Sequence, residues 1–234
     1  AVAENHTAVA RLILETAGGA TTRSLNGFSP LLFAAQQGNV DIALMLLAAG
    51  ADVNESAPDG IGGDTNTQVI FREGTDASAL MVAIDSGHSE MARFLIERGA
   101  DVNPSGAGRT PLHSAVQQQL SDVVQALLSS GADPNVRLEK RMPLLSRSIS
   151  QDNGLTPTTI GSTPFLLAAS YGDVEMMRMF IDAGGDPLLV TEDNTNALML
   201  AAGVDYVEGQ DKYGRRSYPA FLPIIQERAY KATM

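Results

Sequence analysis

Residues 108–135 read GRTPLHSAVQQQLSDVVQALLSSGADPN and hold the most complete copy of a pattern that recurs along the chain. Proline at the first position of a helix loses no hydrogen bond, so Thr110 followed by Pro111 predicts a helix start at which the threonine hydroxyl caps free amides. A second apolar run at helical spacing follows, and Gly131 ends it. Its members are Val123, Val124, Leu127 and Leu128. The stretch therefore predicts two short helices joined by a tight turn.

The two ends of this stretch recur along the chain at a constant separation. The distance from opening residue to closing glycine is 21 positions in four copies: Ser29 to Gly50, Ser78 to Gly99, Thr110 to Gly131 and Thr163 to Gly184. A fifth opening lies at Asn196. A constant step of this kind is typical of a repeat protein in which each unit is one helical hairpin.

The same internal signals appear in each copy. The first helix carries small apolar residues, such as Leu31, Ala34 and Ala35, and a glycine with an expected positive φ breaks it at Gly38, Gly87 and Gly172. Apolar stripes then predict the second helices: Ile42, Met45, Leu46 and Ala49; Met91, Phe94 and Leu95; Met176, Met177, Phe180 and Ile181. Because one hairpin cannot bury both of its faces, we expect the units to stack.

These motifs resemble the ankyrin repeat, whose pattern runs roughly G-x-T-P-L-H-x-A-x-x-x-G and closes with L-L-x-x-G-A-D-x-N. Residues 108–135 match it best, and the resemblance covers the chain apart from three insertions. It implies an all-α solenoid of about six helix-turn-helix units with short β-hairpin turns, the first and last atypical. It also implies a hydrogen bond between His113 and Thr110, and a role for His88 in holding the turn between two helices.

We predict a single array over residues 1–234. Its units lie at approximately 1–21, 26–58, 75–105, 107–137, 160–191 and 193–234, and its insertions at approximately 55–74, 136–160 and 204–219. The opening residues are 49, 32, 53 and 33 positions apart, so two of these intervals are much longer than the ankyrin repeat length of about 33 residues. The first two insertions fall where an ankyrin unit has its hairpin finger.

Two interpretations of the insertions stay open. Loops on a rigid scaffold often carry the binding function. The apolar residues Phe71, Val69 and Ile70 favour a role of the first insertion in recognising a partner. Passive growth of a surface loop is the alternative, because lengthening a loop adds little closure entropy. The apolar residues would then cover the neighbouring hairpin.

Both ends of the array depart from the pattern. Residues 7–16 predict a second helix with Val9, Leu12 and Ile13 facing inward, but the first helix of that unit is missing. Residues 221–234 predict the second helix of the last unit, without a closing Gly-Ala-Asp. We therefore expect part of a longer chain, or ends that pack on something else.

Composition narrows the class of partner. The net charge of −11 repels phosphate backbones and anionic lipids, which argues against nucleic acid. No run reaches the roughly 18 apolar residues that insertion into a membrane needs. The chain has no cysteine, and its irregular spacing resembles that of bacterial ankyrin proteins, several of which are exported. We therefore expect a soluble protein, with a periplasmic or extracellular location favoured over a cytoplasmic one and the compartment left open.

No motif supports catalysis, a cofactor or a metal. The glycines of residues 60–63 lack the lysine of a phosphate loop, and residues 154–156 do not form a nucleophile elbow. The spacing of Asp59 and Asp64 does not fit an EF-hand loop. The recurring Asp52, Asp101, Asp133 and Asp186 are copies of one turn residue rather than an acid–base pair. We therefore predict that the protein is not an enzyme and holds no cofactor or metal ion.

The resemblance implies binding through the concave face, made of hairpin tips and the exposed side of each first helix. Mapped onto this chain, that surface comprises Asn26, Phe28, Gln36, Gln37, Asp85, Ser86, Arg109, Gln117, Gln118, Ser170 and Tyr171, with Phe71 from the first insertion. Phe28, Arg109 and Tyr171 are of types enriched in interface cores or hot spots. We interpret the chain as a protein-binding scaffold whose partner is unidentified. A structural subunit or spacer, packed against other domains or subunits of a larger, enzyme-associated assembly, is the alternative.

Overall fold

The computed structural model describes residues 6–24, 27–57, 77–104, 108–139 and 160–202. These residues contain ten helices: α1 Thr7–Ala17, α2 Pro30–Gln37, α3 Val40–Ala48, α4 Ala79–Asp85, α5 Ser89–Glu97, α6 Pro111–Gln118, α7 Ser121–Ser129, α8 Pro164–Tyr171, α9 Val174–Asp182 and α10 Ala197–Ala201. Apart from one antiparallel bridge, they contain no β-structure. The predicted all-α class is confirmed.

The helices belong to two compact units, Ala1–Ala132 and Asp133–Met234. In the first unit, α2 pairs with α3, α4 with α5 and α6 with α7, and these hairpins stack. The first helices α2, α4 and α6 pack on one another in one layer, and the second helices α1, α3, α5 and α7 pack in another. In the second unit, α8 pairs with α9 and packs on α10.

The predicted opening residues cap the first helices. Four of them accept a hydrogen bond from the backbone N–H three residues on: Ser29 at 3.2 Å, Ser78 at 3.3 Å, Thr163 at 3.3 Å and Asn196 at 2.9 Å. At α6, the Thr110 N–H donates to His113 Nδ1 over 3.2 Å, and the threonine hydroxyl lies 3.0 Å from the same nitrogen. The expected pairing of Thr110 with His113 is confirmed. Each cap satisfies an amide that the first turn of a helix leaves without a partner.

Most of the predicted apolar stripes form the core. The buried members are Leu31, Ala34, Ala35, Ile42, Leu46, Met91, Leu95, Val123, Val124, Leu127, Met176 and Phe180. Met45, Phe94, Leu128 and Met177 are only partly buried, and Ala49 is exposed. Ile181 is 48% exposed, contrary to the prediction. In the register of the repeat it matches Leu47, Ile96 and Leu128, which are half-buried, and the described residues contain no second helix after α9 that would cover it.

At the amino-terminal end, the predicted helix is confirmed but its predicted orientation is wrong. Val9, Leu12 and Ile13 are 48%, 61% and 45% exposed, and only Ala10 of α1 is buried. Val9 and Ile13 match Ile42 and Leu46, which α3 buries in its hairpin with α2. Within residues 6–24 no first helix precedes α1, so these two side chains lack that cover.

At α10, the last described helix, it is apolar side chains of a first helix that are exposed. Leu198 and Met199 of α10 are 63% and 45% exposed, whereas the matching Leu31 and Leu32 of α2 are fully buried. Here the described residues include the first helix of the unit and no second helix after it. The predicted helix at 221–234, like the third insertion, lies outside the described residues.

The first two insertions leave the fold from paired stems. Next to residues 58–76, the Ala57 N–H donates to Ala77 O over 3.0 Å, and the Ala79 N–H to Glu55 O over 3.2 Å. Next to residues 140–159, the Leu138 N–H donates to Ser162 O over 2.9 Å, and the Gly161 N–H to Leu138 O over 2.8 Å. Each insertion therefore begins and ends at neighbouring points. Phe71 itself lies outside the described residues.

Asparagines near the end of one repeat bind the end of the next. Asn54 Oδ1 accepts from the Asp101 N–H over 2.7 Å, and Asn103 Nδ2 donates to Gly131 O over 3.0 Å. Asn135 does both, towards the Asp186 N–H at 2.7 Å and Gly184 O at 3.1 Å. In the next repeat, Leu188 occupies the asparagine position and is 84% exposed. These bonds fix the spacing between consecutive closing turns.

A left-handed residue follows each of four first helices, and one of the four is not glycine. Gly38, Gly87 and Gly172 have φ of 68°, 79° and 65°, as predicted, whereas Gln119 occupies the same position with φ 58°. A side chain beyond Cα makes this conformation costly, by about 1–2 kcal/mol. The third hairpin therefore contains a local strain that the other three avoid.

We expect Gln119→Gly to stabilise the protein by about 0.5–1 kcal/mol, because relief of the left-handed strain exceeds the extra entropy that glycine gives the unfolded chain. Urea unfolding measures the difference. The matched control is Gln125→Gly, at an exposed position inside α7, which should cost about 1 kcal/mol because glycine is a poor helix former. Equal destabilisation by both changes would show that Gln119 is unstrained.

Candidate protein-binding surface

The ends of α2, α4 and α6 present accessible side chains along one side of the first-helix layer. Because these helices pack on one another, their ends lie side by side. We define the first-helix row as the exposed or half-buried residues Phe33, Gln36, Gln37, Ser86, Gln117 and Gln118. All but Phe33 belong to the predicted surface.

Side chains of the next hairpin satisfy backbone carbonyls at the ends of two of these helices. Gln118 Nε2 donates to Asp85 O over 2.9 Å, and His88 Nε2 lies 3.0 Å from Gln36 O. Carbonyls of the last helical turn have no partner inside the helix, so these bonds join hairpin to hairpin. The expectation for His88 needs correction, because its side chain makes no capping bond at α5 and instead contacts the preceding hairpin.

The contact of His88 also explains why Gly38 must be glycine. A Cβ at Gly38 would lie 2.7 Å from the imidazole ring, and the residue has a φ of 68°. Steric exclusion and the left-handed backbone therefore impose the same residue type.

Asp85 and Arg109 form a buried ion pair between α4 and the residue before the cap of α6. Arg109 Nη2 donates to Asp85 Oδ2 over 2.6 Å, and the side chains are only 4% and 7% exposed. Burial raises the pKa of Asp85, and the positive charge of Arg109 opposes that shift. Both residues were predicted as surface positions, but the structure places their charges against each other. A partner would have to displace the pair to reach either one.

Phe28 supports the row from below. It is 9% exposed, and its ring centroid lies 5.3 Å from that of Phe33 in a tilted arrangement. Phe33 is the half-buried aromatic residue that sequence reasoning missed. A signal was available, because Val82, Ser114 and Leu167 occupy its register position in the other hairpins, and Phe33 is the largest of the four.

The remaining predicted residues are placed separately. Ser170 and Tyr171, at the end of α8 in the unit Asp133–Met234, are half-buried, and the Ser170 hydroxyl donates to Leu167 O over 2.7 Å. Asn26 and Phe71 lie outside the described residues.

A charged cluster next to the stem of the first insertion was also missed by sequence reasoning. Glu55 accepts a hydrogen bond from the Ser29 hydroxyl, and its Oε2 lies 3.9 Å from Arg23 Nη2. Arg23 Nη1 also donates to Gly27 O over 2.7 Å and to Ser56 O over 3.0 Å. Burial raises the pKa of Glu55, while the Ser29 hydrogen bond and the charge of Arg23 act in the opposite direction.

The described part of the chain contains no group of three or more His, Asp or Glu side chains arranged to hold a metal ion. None of the described helices combines the length and apolar character required to cross a bilayer.

Family models match the same segments that carry the repeat. The ankyrin repeat model matches residues 26–57 and 160–192, and a model of three consecutive ankyrin repeats matches 61–137. The chain belongs to the ankyrin repeat family. Ankyrin repeats in general mediate protein–protein interaction, and the fold is in general a non-catalytic interaction module.

Two human proteins are similar to parts of the chain. It is 30% identical to human Rabankyrin-5 over 86 residues, which are 37% of this chain. It is 38% identical to human 2-5A-dependent ribonuclease over 69 residues, which are 30% of this chain. The aligned segment spans only 7% of each human protein.

The fold matches a solved ankyrin structure. The crystal structure of the ankyrin repeat domain of Bcl-3, a member of the IkappaB protein family, aligns with a TM-score of 0.60. The alignment covers 85% of this chain and 74% of that one at 23% sequence identity. The likeness concerns the fold.

Removing one partner of the buried ion pair should be far more harmful than replacing both. We expect Arg109→Met to cost about 3–5 kcal/mol of unfolding free energy, because the Asp85 carboxylate is left buried and unpaired. The double variant Asp85→Leu/Arg109→Met should recover most of that loss. Urea unfolding of the wild type, both single variants and the double variant gives the coupling.

Arg93→Met, at an exposed position on α5, serves as the control and should change stability by less than about 0.5 kcal/mol. Additive effects of the two changes at the pair would show that the ion pair contributes no coupling.

Glu55 should weaken the fold as it ionises. Its pKa is raised above 4.5 in the folded state, so the contribution of Glu55 to stability is fully present below pH 4.5 and is lost as pH rises through the folded-state pKa. Glu55→Gln removes this titration. The difference in unfolding free energy, variant minus wild type, should therefore rise with pH above 4.5 and then level off. Urea unfolding of both proteins at a series of pH values measures it, and a falling difference would mean that Arg23 and Ser29 outweigh burial.

Proposed function

We propose that this chain is a non-catalytic module that binds a partner protein through its concave face and its two enlarged hairpin fingers. The observation that carries the proposal is the first-helix row, in which three stacked helices present accessible side chains on one side. A surface built on packed helices keeps its geometry when a partner binds, so little ordering entropy is lost.

The roles of the predicted residues differ within this proposal. Phe33, Gln37 and Gln117 make direct contact, because each is at least partly exposed to solvent. Phe28 and Arg109 act from beneath, since both are buried. Phe28 packs against the ring of Phe33, and Arg109 is hydrogen-bonded to Asp85 of α4. Tyr171, on α8 of the unit Asp133–Met234, is a further candidate contact and is considered by itself.

The two insertions supply the second part of the surface. Their paired stems deliver residues 58–76 and 140–159 from fixed points. Their charges differ: the first segment has one basic and four acidic residues, and the second has three basic residues and one acidic. Two fingers of opposite charge would orient a partner and exclude many others.

A structural subunit of a larger assembly is the second candidate function. The exposed Val9 and Ile13 of α1, and Leu198 and Met199 of α10, favour it, because complete hairpins bury the matching positions. Other domains or subunits would cover these side chains. Such a chain acts as a spacer, and its row contacts only solvent.

The test is capture of proteins by the tagged full chain from an extract of its source organism after chemical cross-linking. The triple variant Gln37→Arg/Ser86→Arg/Gln117→Arg places bulky charges on the row. The matched control Ala48→Arg/Gln125→Arg/Ser129→Arg places three arginines at exposed positions of α3 and α7. We expect the row variant to lose the captured protein and the control variant to keep it.

Two further variants replace residues 58–76 or 140–159 by short Gly/Ser turns and measure the contribution of each finger. Capture that survives the row variant but is lost with Val9→Glu or Leu198→Glu would contradict binding through the row and support the structural role.

A further inference from the structure

Charge is distributed unequally between the first and the second helices of the hairpins. The five first helices, α2, α4, α6, α8 and α10, contain a single Asp, Glu, Lys or Arg residue, which is Asp85. Every second helix contains at least one, and the set is Arg11, Glu15, Asp41, Glu90, Arg93, Glu97, Asp122, Glu175, Arg178 and Asp182. The side of the hairpins formed by the first helices is therefore almost uncharged in a protein of net charge −11.

The one charge on the first helices does not face a partner. Asp85 is 8% exposed and its carboxylate contacts the Arg109 guanidinium, so the two charges cancel beneath the row. What the row presents is four glutamine side chains, one serine and one phenylalanine. Each of the six residues is at least partly exposed, although the hydroxyl of Ser86 is itself buried. Charged residues are usually common at accessible positions.

The chemistry of the row matches that of a peptide group. A glutamine amide has two N–H donors and a carbonyl acceptor, so it pairs with a backbone N–H, a backbone carbonyl or another amide side chain. Phe33, supported by the ring of Phe28, adds one apolar contact at the α2 end. Ser86 lies on the middle hairpin, between the glutamines of α2 and α6.

The dimensions of the row favour an extended ligand. Packed helices lie about 8–10 Å apart, so three of them side by side span roughly 16–20 Å. An extended chain rises about 3.3 Å per residue, so about five or six residues cross the row.

We infer that the first-helix row binds an uncharged, extended segment of the partner protein, through hydrogen bonds from its amides and an apolar side chain placed against Phe33. This inference rests on the proposed function and names the kind of partner that the row accepts. Because neither the row nor the bound segment is charged, electrostatic steering contributes little to this one contact, whatever the charged fingers add elsewhere. Binding is then nearly independent of salt, whereas a basic partner drawn by the net charge of the protein would be released by salt.

The experiment is a selection of random peptides of about eight residues, displayed on phage, against the immobilised full chain, a length sufficient to cross the row. Enriched peptides are synthesised, and their affinity is measured by fluorescence anisotropy at low and high salt. The variant Gln37→Glu/Gln117→Glu adds charge to the row with little change in size. The control Gln125→Glu adds it to the exposed side of α7. Unchanged urea midpoints verify that the variants are folded.

We expect the enriched peptides to be uncharged and to contain an aromatic or aliphatic residue. Their affinity should change less than about twofold between 0.05 and about 0.5 M salt, because no ion pair is screened. The row variant should weaken binding by about tenfold or more, as expected when buried hydrogen bonds are lost, and the control should not.

Peptides rich in Lys or Arg whose affinity falls steeply with salt would overturn the inference. Enriched peptides that ignore the row variant, or no enrichment at all, would overturn it as well. The proposed function is judged separately by the cross-linking capture, so a partner that depends on the row but binds through charge would refute only the inference.

Discussion

A hairpin of two short helices, such as α2 with eight residues and α3 with nine, cannot bury all of its apolar side chains by itself. Leu31 on α2 is fully buried, while Leu198, at the same position of α10, is 63% exposed. The two residues have the same side chain and lie in the same local structure. They differ in what packs against them, so neighbouring hairpins rather than helix propensity determine which residues become core.

Polar groups then fix how the hairpins stack. Asn135 and Asn54 bind the closing turn of the following repeat, and His88 and Gln118 reach helix-end carbonyls in the preceding one. Each bond satisfies a backbone group that would otherwise lack a partner, so correct spacing between repeats is favoured over slippage. The ion pair of Asp85 and Arg109 belongs to the same set, because it too joins consecutive hairpins.

The sequence was sufficient to predict what a single repeat determines. Thr110, Ser78 and the other opening residues, the left-handed glycines and the helices follow from local preferences that recur with a constant step. The structure confirms those that fall on the described residues. Contacts between repeats were harder to predict. The pattern showed that Val9, Ile13 and Ile181 belong to apolar faces, but periodicity does not show whether a neighbour covers a face.

The prediction of the candidate surface was limited for the same reason, because it too depends on contacts between repeats. Asp85 and Arg109 are 24 positions apart and pair only because two hairpins stack, so a repeat motif alone places both on the surface. The motif also gave no reason to select Phe33, whose accessibility depends on packing at α2. The binding role of the mapped residues, the boundaries of the units and the cellular compartment stay predictions.

Because each insertion leaves the fold from a paired stem, the length of a finger does not affect the bonds between consecutive repeats. Asn135 bonds to Gly184 across 49 positions, a stretch that includes residues 140–159, and Leu138 pairs with Ser162 at the base of that segment. Substitutions, deletions or added residues beyond such a base leave the bonds between repeats unchanged. Fingers of this kind can diverge in evolution faster than the helices that support them, and foreign binding loops can be grafted onto the stems without redesign of the core.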